Sequence, residues 1–332
     1  MVPRVSVVVP TYKRPDYIER CLKALLTQDL PPEEFEVLIV DDAVDDETRQ
    51  RVAEVMEHAE HEGRSGYIVR YVPGRGAGNP DHSPASARNI GWQAARSEII
   101  AFTDDDCVPE QRWLRTGLAA FRDDITAISG RIVTPLPARP TDYEYNAAQI
   151  TRAEFATANS FYRRSILEKV GGFDERFRAA WREDSDLYFT LLAHHEKCIF
   201  LHDAAVMHPV RPERWGVSIR QQSKSMYNAL LYKKHPVLYR QRIQQTIPWR
   251  YYCIVSTLII AILAMLTQVW LLAALAFCAW LAMTLLFCLE RLYKTKHTLG
   301  HISEMLITSA IIPPLAIFWR LYGALKFRVL FL

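Results

Sequence analysis

Ile99-Ile100-Ala101-Phe102-Thr103-Asp104-Asp105-Asp106-Cys107-Val108-Pro109 is an apolar run of strand length that ends in three consecutive carboxylates. A short apolar run of this kind, bounded by turn residues, reads as a strand buried in a sheet. Three acids at its end raise one another's pKa, and the strand supplies no water, so they persist only beside something cationic. A hard divalent metal, Mg2+ or Mn2+, suits them because it takes oxygen ligands and commonly bridges carboxylates to substrate phosphates. The residues equally allow a solvated acidic turn that starts a helix over Gln111 to Phe121, since aspartate is favoured at helix starts.

Around this stretch strands and helices alternate. Val5 to Val9, Phe35 to Val40 and Tyr67 to Val72 are short β-branched runs of the kind that sheets covered on both faces use. Asp16 to Gln28 places Tyr17, Ile18, Cys21, Leu22, Leu25 and Leu26 at helical spacing, and further helices are expected near Asp46 to His58 and Ala85 to Ala95. The alternation predicts an α/β fold with a doubly wound, mostly parallel sheet. Ligands of such sheets bind beyond the carboxyl ends of the strands, where Thr11, Asp41, Asp42 and Asp104 to Asp106 all fall. Gly74-Arg75-Gly76-Ala77-Gly78-Asn79 follows the third strand and lacks the Lys-Ser/Thr of a phosphate-binding P-loop, so it reads as a flexible loop.

The chain has 332 residues, more than one core usually needs, and a formal charge of +3, too small to point to nucleic acid. Its six cysteines are scattered with no C-x-x-C pair, which argues for reduced thiols and a cytosolic catalytic face. The N-terminal run lacks the long apolar core of a signal peptide. Composition breaks near Pro248. Between Tyr252 and Leu289 there is no Asp, Glu, Lys or Arg, and the polar pair Thr267-Gln268 divides the stretch into two apolar helices. Both approach the length that crosses a hydrocarbon layer roughly 30 Å thick. Arg240, Arg242 and Arg250 precede this hairpin and Arg291, Lys294 and Lys296 follow it, so both flanks belong on the cytoplasmic side. The next apolar stretch, Ile302 to Trp319, contains Glu304 and Pro313-Pro314 and is followed by Arg320, Lys326 and Arg328. An interfacial or re-entrant helix is expected there rather than a third span.

Val7-Val8-Val9-Pro10-Thr11-Tyr12-Lys13-Arg14, Val40-Asp41-Asp42-Ala43, Ser86-Ala87-Arg88-Asn89-Ile90-Gly91, Thr103-Asp104-Asp105-Asp106, Gly171-Gly172-Phe173-Asp174 and Arg182-Glu183-Asp184-Ser185-Asp186-Leu187 occur in this order. Together they resemble the family 2 glycosyltransferases, inverting enzymes of the GT-A fold, over about residues 3 to 210. The resemblance implies that Pro10, Thr11, Tyr12 and Arg14 line the nucleotide, and that Asp42 accepts a hydrogen bond from the base. Arg88 would pair with the diphosphate, where a guanidinium fork suits phosphate oxygens; a surface position on its helix is the plain alternative. Asp104 and Asp106 would form the DxD-type pair, one near the ribose and one on the metal, with Asp105 between them leaving the division open. Asp184 would be the general base that takes the acceptor proton, with Glu183 supporting it or touching the acceptor. The same acids would also suit a helix N-terminus without catalysis. His208 stands where relatives place a metal or diphosphate histidine, and His202 competes for that role. Trp181 would stack on an acceptor sugar or simply pack.

The expectation is therefore a catalytic domain over residues 1–210, a basic and aromatic membrane-proximal helical linker over 211–249, a transmembrane hairpin over 250–289, and a basic loop with a third apolar helix over 290–332. The expected activity is metal-dependent inverting transfer from a nucleotide sugar, a UDP-sugar first with GDP and dTDP donors open. The acceptor would be a lipid or lipid-linked saccharide at the inner membrane, with the catalytic domain cytoplasmic. A sugar-phosphate nucleotidyltransferase and a silent scaffold that binds nucleotide sugars are the alternatives.

Overall fold

The protein is described by a computed structural model covering residues 2–331. It divides into two compact units, residues 1–135 with 149–211, and residues 136–148 with 212–332.

The first unit is built on one eight-stranded sheet among the described residues. Its first half alternates β1 (Val5–Thr11), α1 (Pro15–Leu25), β2 (Phe35–Asp41), α2 (Asp46–His61), β3 (Ile68–Pro73), α3 (Pro84–Ala94) and β4 (Ile99–Phe102). Strands β3, β2, β1 and β4 are mutually parallel, as strands joined by helical crossovers must be. The second half contains β5 (Val108–Pro109), α4 (Trp113–Ala120), β6 (Ala127–Val133), β7 (Ser160–Arg163), α6 (Arg164–Val170), α7 (Glu183–Ala193) and β8 (Cys198–Met207). Here β7 runs antiparallel to β4 and β6, β6 and β8 are parallel, and β5 pairs antiparallel with β8.

Alternation along the buried strands feeds two cores. Val5, Val7 and Val9 of β1 with Val37 and Ile39 of β2 pack against Ile18, Leu22 and Leu25 of α1 on one face. Val8, Leu38 and Val40 pack on the other face with Ala87 and Trp92 of α3 and Leu187 and Leu191 of α7. A sheet covered on both faces leaves only its strand ends for function, and Thr11, Asp42 and Asp104 to Asp106 all stand at carboxyl ends.

The second unit takes in Leu136–Ala148, a segment between β6 and β7 that carries α5 (Asp142–Ala147). Sequence reading did not separate this segment from its neighbours. The rest of the unit holds α8 (Val217–Gln221), α9 (Tyr227–Lys234), α10 (Pro236–Arg242), α11 (Trp249–Leu266), α12 (Trp270–Tyr293) and α13 (Leu299–Phe327). Helices α11, α12 and α13 are each long and apolar enough to cross a membrane. Pro313 and Pro314 lie inside α13, which continues through them for 29 residues.

Candidate active site

The β1, β2 and β4 ends meet α3 and α7 at the site, and local packing fixes how they do so. Gly91 lets α3 lie directly on the sheet, because a Cβ there would come within 2.3 Å of Val8 Cγ1 and 2.9 Å of Val40 Cγ2. Asn89, on the same helix, donates from Nδ2 to the Phe173 carbonyl at 2.8 Å and accepts the Phe173 N–H at 2.9 Å. That clip requires the backbone before Phe173 to pass close by: Gly172 has φ +70°, and a Cβ there would fall 2.6 Å from Asn89 Oδ1. The glycines and Asn89 in the sequence motifs thus set the height and rotation of the helix that carries Arg88.

Each aspartate of the triplet has its own arginine. Arg88 Nη2 donates to Asp104 Oδ1 at 2.9 Å, Arg14 Nη1 lies 3.3 Å from Asp105 Oδ1, and Arg211 Nε lies 3.1 Å from Asp106 Oδ2. Asp105 also accepts from Thr11 Oγ1 at 2.9 Å. The triplet's backbone is held too, with Arg20 donating to the Asp106 carbonyl at 3.1 Å. Burial raises the Asp104 carboxyl, but Arg88, His208 and Arg211 outweigh it and hold the group below its ordinary range. Burial raises Asp105 to about 6 against the pull of Arg14, and the neighbouring Asp106 adds to the rise. The cationic company that the triplet demands is therefore supplied by guanidinium groups.

Arg88 is buried rather than on the surface. Its other nitrogen, Nη1, donates to Glu183 Oε1 at 3.0 Å, so one side chain joins the β4 end to the start of α7. Arg182, just before α7, takes φ +78°, an uncommon conformation for a residue with a side chain, and its guanidinium lies 4.8 Å from the Trp181 ring. Burial pushes Glu183 up to about 7, with Arg88 pulling it down and the Asp184 charge pushing it further up. Glu183 Oε2 is buried with no hydrogen-bond partner among the described residues. Asp184 is raised as well, chiefly by burial, although the Ser185 N–H donates to its Oδ1 at 2.6 Å.

Residues Asp106, Cys107 and His208 place ligand atoms within 4.8 Å of one another. His208 Nε2 is 3.4 Å from Asp106 Oδ1, and both that oxygen and His208 Nδ1 are buried without a hydrogen-bond partner among the described residues. Orphaned oxygen and imidazole acceptors fit a divalent cation. The Cys107 thiol fits less well, since burial, Asp104 and Asp106 push it far above its ordinary pKa. His202 is separated from this group: it is exposed and lies beside Asp203 at 3.8 Å.

A second cluster forms around Asp42. Its Oδ2 is 3.4 Å from His82 Nδ1 and its Oδ1 accepts the Arg75 N–H at 3.3 Å, while the Tyr12 and His82 rings stack with centroids 5.2 Å apart and planes 8° apart. Burial raises the Asp42 carboxyl. Of the residues singled out from sequence, Pro10 is half-buried and Trp181 is exposed. His82 and Arg211 were not singled out. Neither belongs to a motif with fixed spacing, and only the return of the 74–83 loop and of β8 brings them beside Asp42 and Asp106.

Sheet order, acidic strand ends and an acidic helix start together fit the GT-A fold. Residues 6–183, more than half of the chain, match the family described as Glycosyl transferase family 2, and residues 99–289 match Glycosyl transferase family group 2. The chain belongs to glycosyltransferase family 2, as its six motifs imply. Among relatives, it is 28% identical to the glycosyltransferase AglE of Haloferax volcanii over 67% of this chain and 71% of that protein. It is 26% identical to the validoxylamine A glucosyltransferase of Streptomyces hygroscopicus subsp. limoneus over 71% of this chain and 58% of that protein. In fold it resembles the mannosyltransferase PcManGT from Pyrobaculum calidifontis, solved in complex with GDP-Man and Mn2+, with a TM-score of 0.57 at 20% identity, covering 99% of this chain and 88% of that one.

Proposed function

We propose that the protein transfers a sugar from a nucleotide-sugar donor, with inversion, to a membrane-associated acceptor, a lipid or lipid-linked saccharide. The observation that carries this reading is the Asp104–Arg88–Glu183 bridge, which sets the acidic strand end against the start of α7 that bears Asp184.

In this reading Asp42 accepts the N–H of a uracil, thymine or guanine base, with Pro10, Thr11, Tyr12 and Arg14 lining the nucleoside. Asp104 and Asp105 serve the ribose and diphosphate side, and Arg88 turns part of its donor set toward phosphate oxygens. Asp106 and His208, with Asp104 beside them, would hold a divalent ion, Mg2+ or Mn2+; the orphaned Asp106 Oδ1 and His208 Nδ1 support this. Bound there, the ion would supply Lewis-acid stabilisation of the departing diphosphate.

Asp184 takes the proton of the acceptor hydroxyl. The acceptor oxygen bonds to the anomeric carbon as the bond from that carbon to the diphosphate oxygen breaks, and the electron pair leaves with the nucleoside diphosphate. Glu183 stays behind Asp184, oriented by Arg88, and the exposed Trp181 ring offers a face to the acceptor. The apolar helices α11 and α12, flanked by cations at both outer ends, support anchoring at an inner membrane with the catalytic unit cytoplasmic.

The test is release of nucleoside diphosphate from a panel of UDP-, GDP- and dTDP-sugars with membrane lipid extract, with and without Mn2+ or Mg2+. Metal-dependent diphosphate release supports the proposal. Release of pyrophosphate or nucleoside monophosphate, or turnover indifferent to chelator, would refute it.

A further inference from the structure

We infer that α13 does not cross the membrane but lies along its cytoplasmic face, bedded on α8 to α10, so that the chain crosses the bilayer twice and its described C-terminal end returns to the side it started from. This rests on reading α11 and α12 as the spanning hairpin.

Two points on α13 fix its direction. Near its start, Thr308 Oγ1 and Ser309 Oγ accept from Arg291 Nη1 at 2.7 and 3.0 Å. Arg291 stands in the last turn of α12, at the basic flank of the hairpin. Eleven residues later, Arg320 Nη1 donates to Gln244 Oε1 at 3.1 Å. Gln244 precedes Trp249, the first residue of α11, and so belongs to the same flank. At 1.5 Å per residue, Ser309 and Arg320 are about 16 Å apart along the axis. A helix crossing antiparallel to α12 would carry Arg320 that far into the bilayer, level with about Trp280. Its partner is instead a polar residue outside the hairpin, so α13 runs across the hairpin's base.

Three further contacts follow the same line. The Gly216 N–H donates to Glu304 Oε1 at 2.7 Å, a Cβ on Gly323 would come 2.5 Å from the Met226 carbonyl, and Lys233 Nζ donates to the Phe327 carbonyl at 2.7 Å. From Glu304 to Phe327, about 35 Å of helix is bedded on residues 216–244. That bed carries Arg220, Lys224, Lys233 and Lys234. Were α13 to span, these cations would be drawn in with it, and charged side chains near the bilayer centre are costly.

The partner of the outer face is the bilayer surface. Leu306, Ile307, Ile311, Phe318, Leu321 and Leu325 are exposed on α13, while His301, Thr308, Ser309 and Arg320 point inward. An apolar outer row ending in exposed Lys326 and Arg328 suits a helix sunk to the boundary of headgroups and acyl chains.

Single cysteines test this in the full chain, in sealed vesicles, with a membrane-impermeant maleimide and the unsubstituted chain as background. Thr298→Cys and Leu330→Cys should react from one side and Val269→Cys, at the hairpin tip, from the other. Labelling of Leu330→Cys together with Val269→Cys would overturn the inference. Labelling of all three from one side would remove the hairpin itself, and with it the inference, while leaving the transfer reaction to its own assay. Depth gives a second reading: a fluorophore on Ile311→Cys and on Leu321→Cys should be quenched equally by shallow spin-labelled lipids. A depth difference of about 15 Å would mean a spanning helix, and no quenching at either would mean that protein covers the face; both outcomes contradict the inference.

Discussion

The pairing of each aspartate in the triplet with its own arginine makes the residue-scale consequences specific. Asp184→Asn should lower transfer by about 10²–10⁴-fold, the usual worth of a general base, while nucleoside diphosphate still binds by calorimetry; normal turnover would remove Asp184 from the mechanism. Arg88→Met leaves Glu183 and Asp104 without their shared cation and should cost about 3–5 kcal/mol of stability, read as a fall in Tm. Glu183 adds a pH dependence. The unfolded chain releases this proton near 4.5 and the folded protein near about 7. Folding therefore takes up a proton across that window, and the Glu183 contribution to stability declines as pH rises through it. Thermal denaturation of Glu183→Gln should show a flatter slope over this range, and an unchanged slope would contradict the assignment. Asp42, Arg88, Asp104 to Asp106, Glu183 and Asp184 were legible because each belongs to a motif at a strand end or helix start. His82 and Arg211 were not, because a loop and a strand return bring them in through long-range contact. The triplet's charge was read as calling for a metal or for a solvated helix start, and arginine side chains were not weighed among its partners.

Among the elements, the short β-branched apolar runs of β1 and β2 and the helical spacing in α1 announced the sheet and its layers, since burial on both faces favours continuous apolar strands. The antiparallel insertion of β7 between β4 and β6 carried no comparable signal: Ser160–Arg163 is short, and its direction follows from packing rather than pattern. Gly91→Ala tests whether close approach of α3 positions Arg88. Its Cβ would overlap Val8, so a loss of about 1–3 kcal/mol is expected, visible as a lower Tm, with weaker donor binding as Arg88 is displaced. An unchanged Tm would show that α3 can shift freely. Pro313-Pro314 and Glu304 suggested an interfacial or re-entrant third helix; α13 runs through both prolines from Leu299 to Phe327, and its polar partners rather than its prolines bear on its placement.

The whole molecule combines a catalytic unit of family 2 with a helical unit whose helices α11 to α13 expose many large apolar side chains. The composition break near Pro248 made the apolar helices visible, because charge vanishes from every face at once. The membership of Leu136–Ala148 in the helical unit was hidden: it rests on long-range contacts such as the bidentate pair of Asp142 with Arg291, at 2.8 and 3.3 Å, which ties α5 to α12. Detergent or lipid should therefore be required for the second unit to remain soluble. In the proposed reaction the acidic strand ends and the start of α7 transfer a sugar from a nucleotide donor. It is tested most directly by following nucleoside diphosphate and glycosylated lipid together in one reaction, with a nucleotide-sugar panel, membrane lipid extract and Mn2+, against chelator and Asp184→Asn controls. Equal amounts of the two products are expected, lost in both controls. Diphosphate release undiminished by Asp184→Asn, or products other than nucleoside diphosphate, would contradict it.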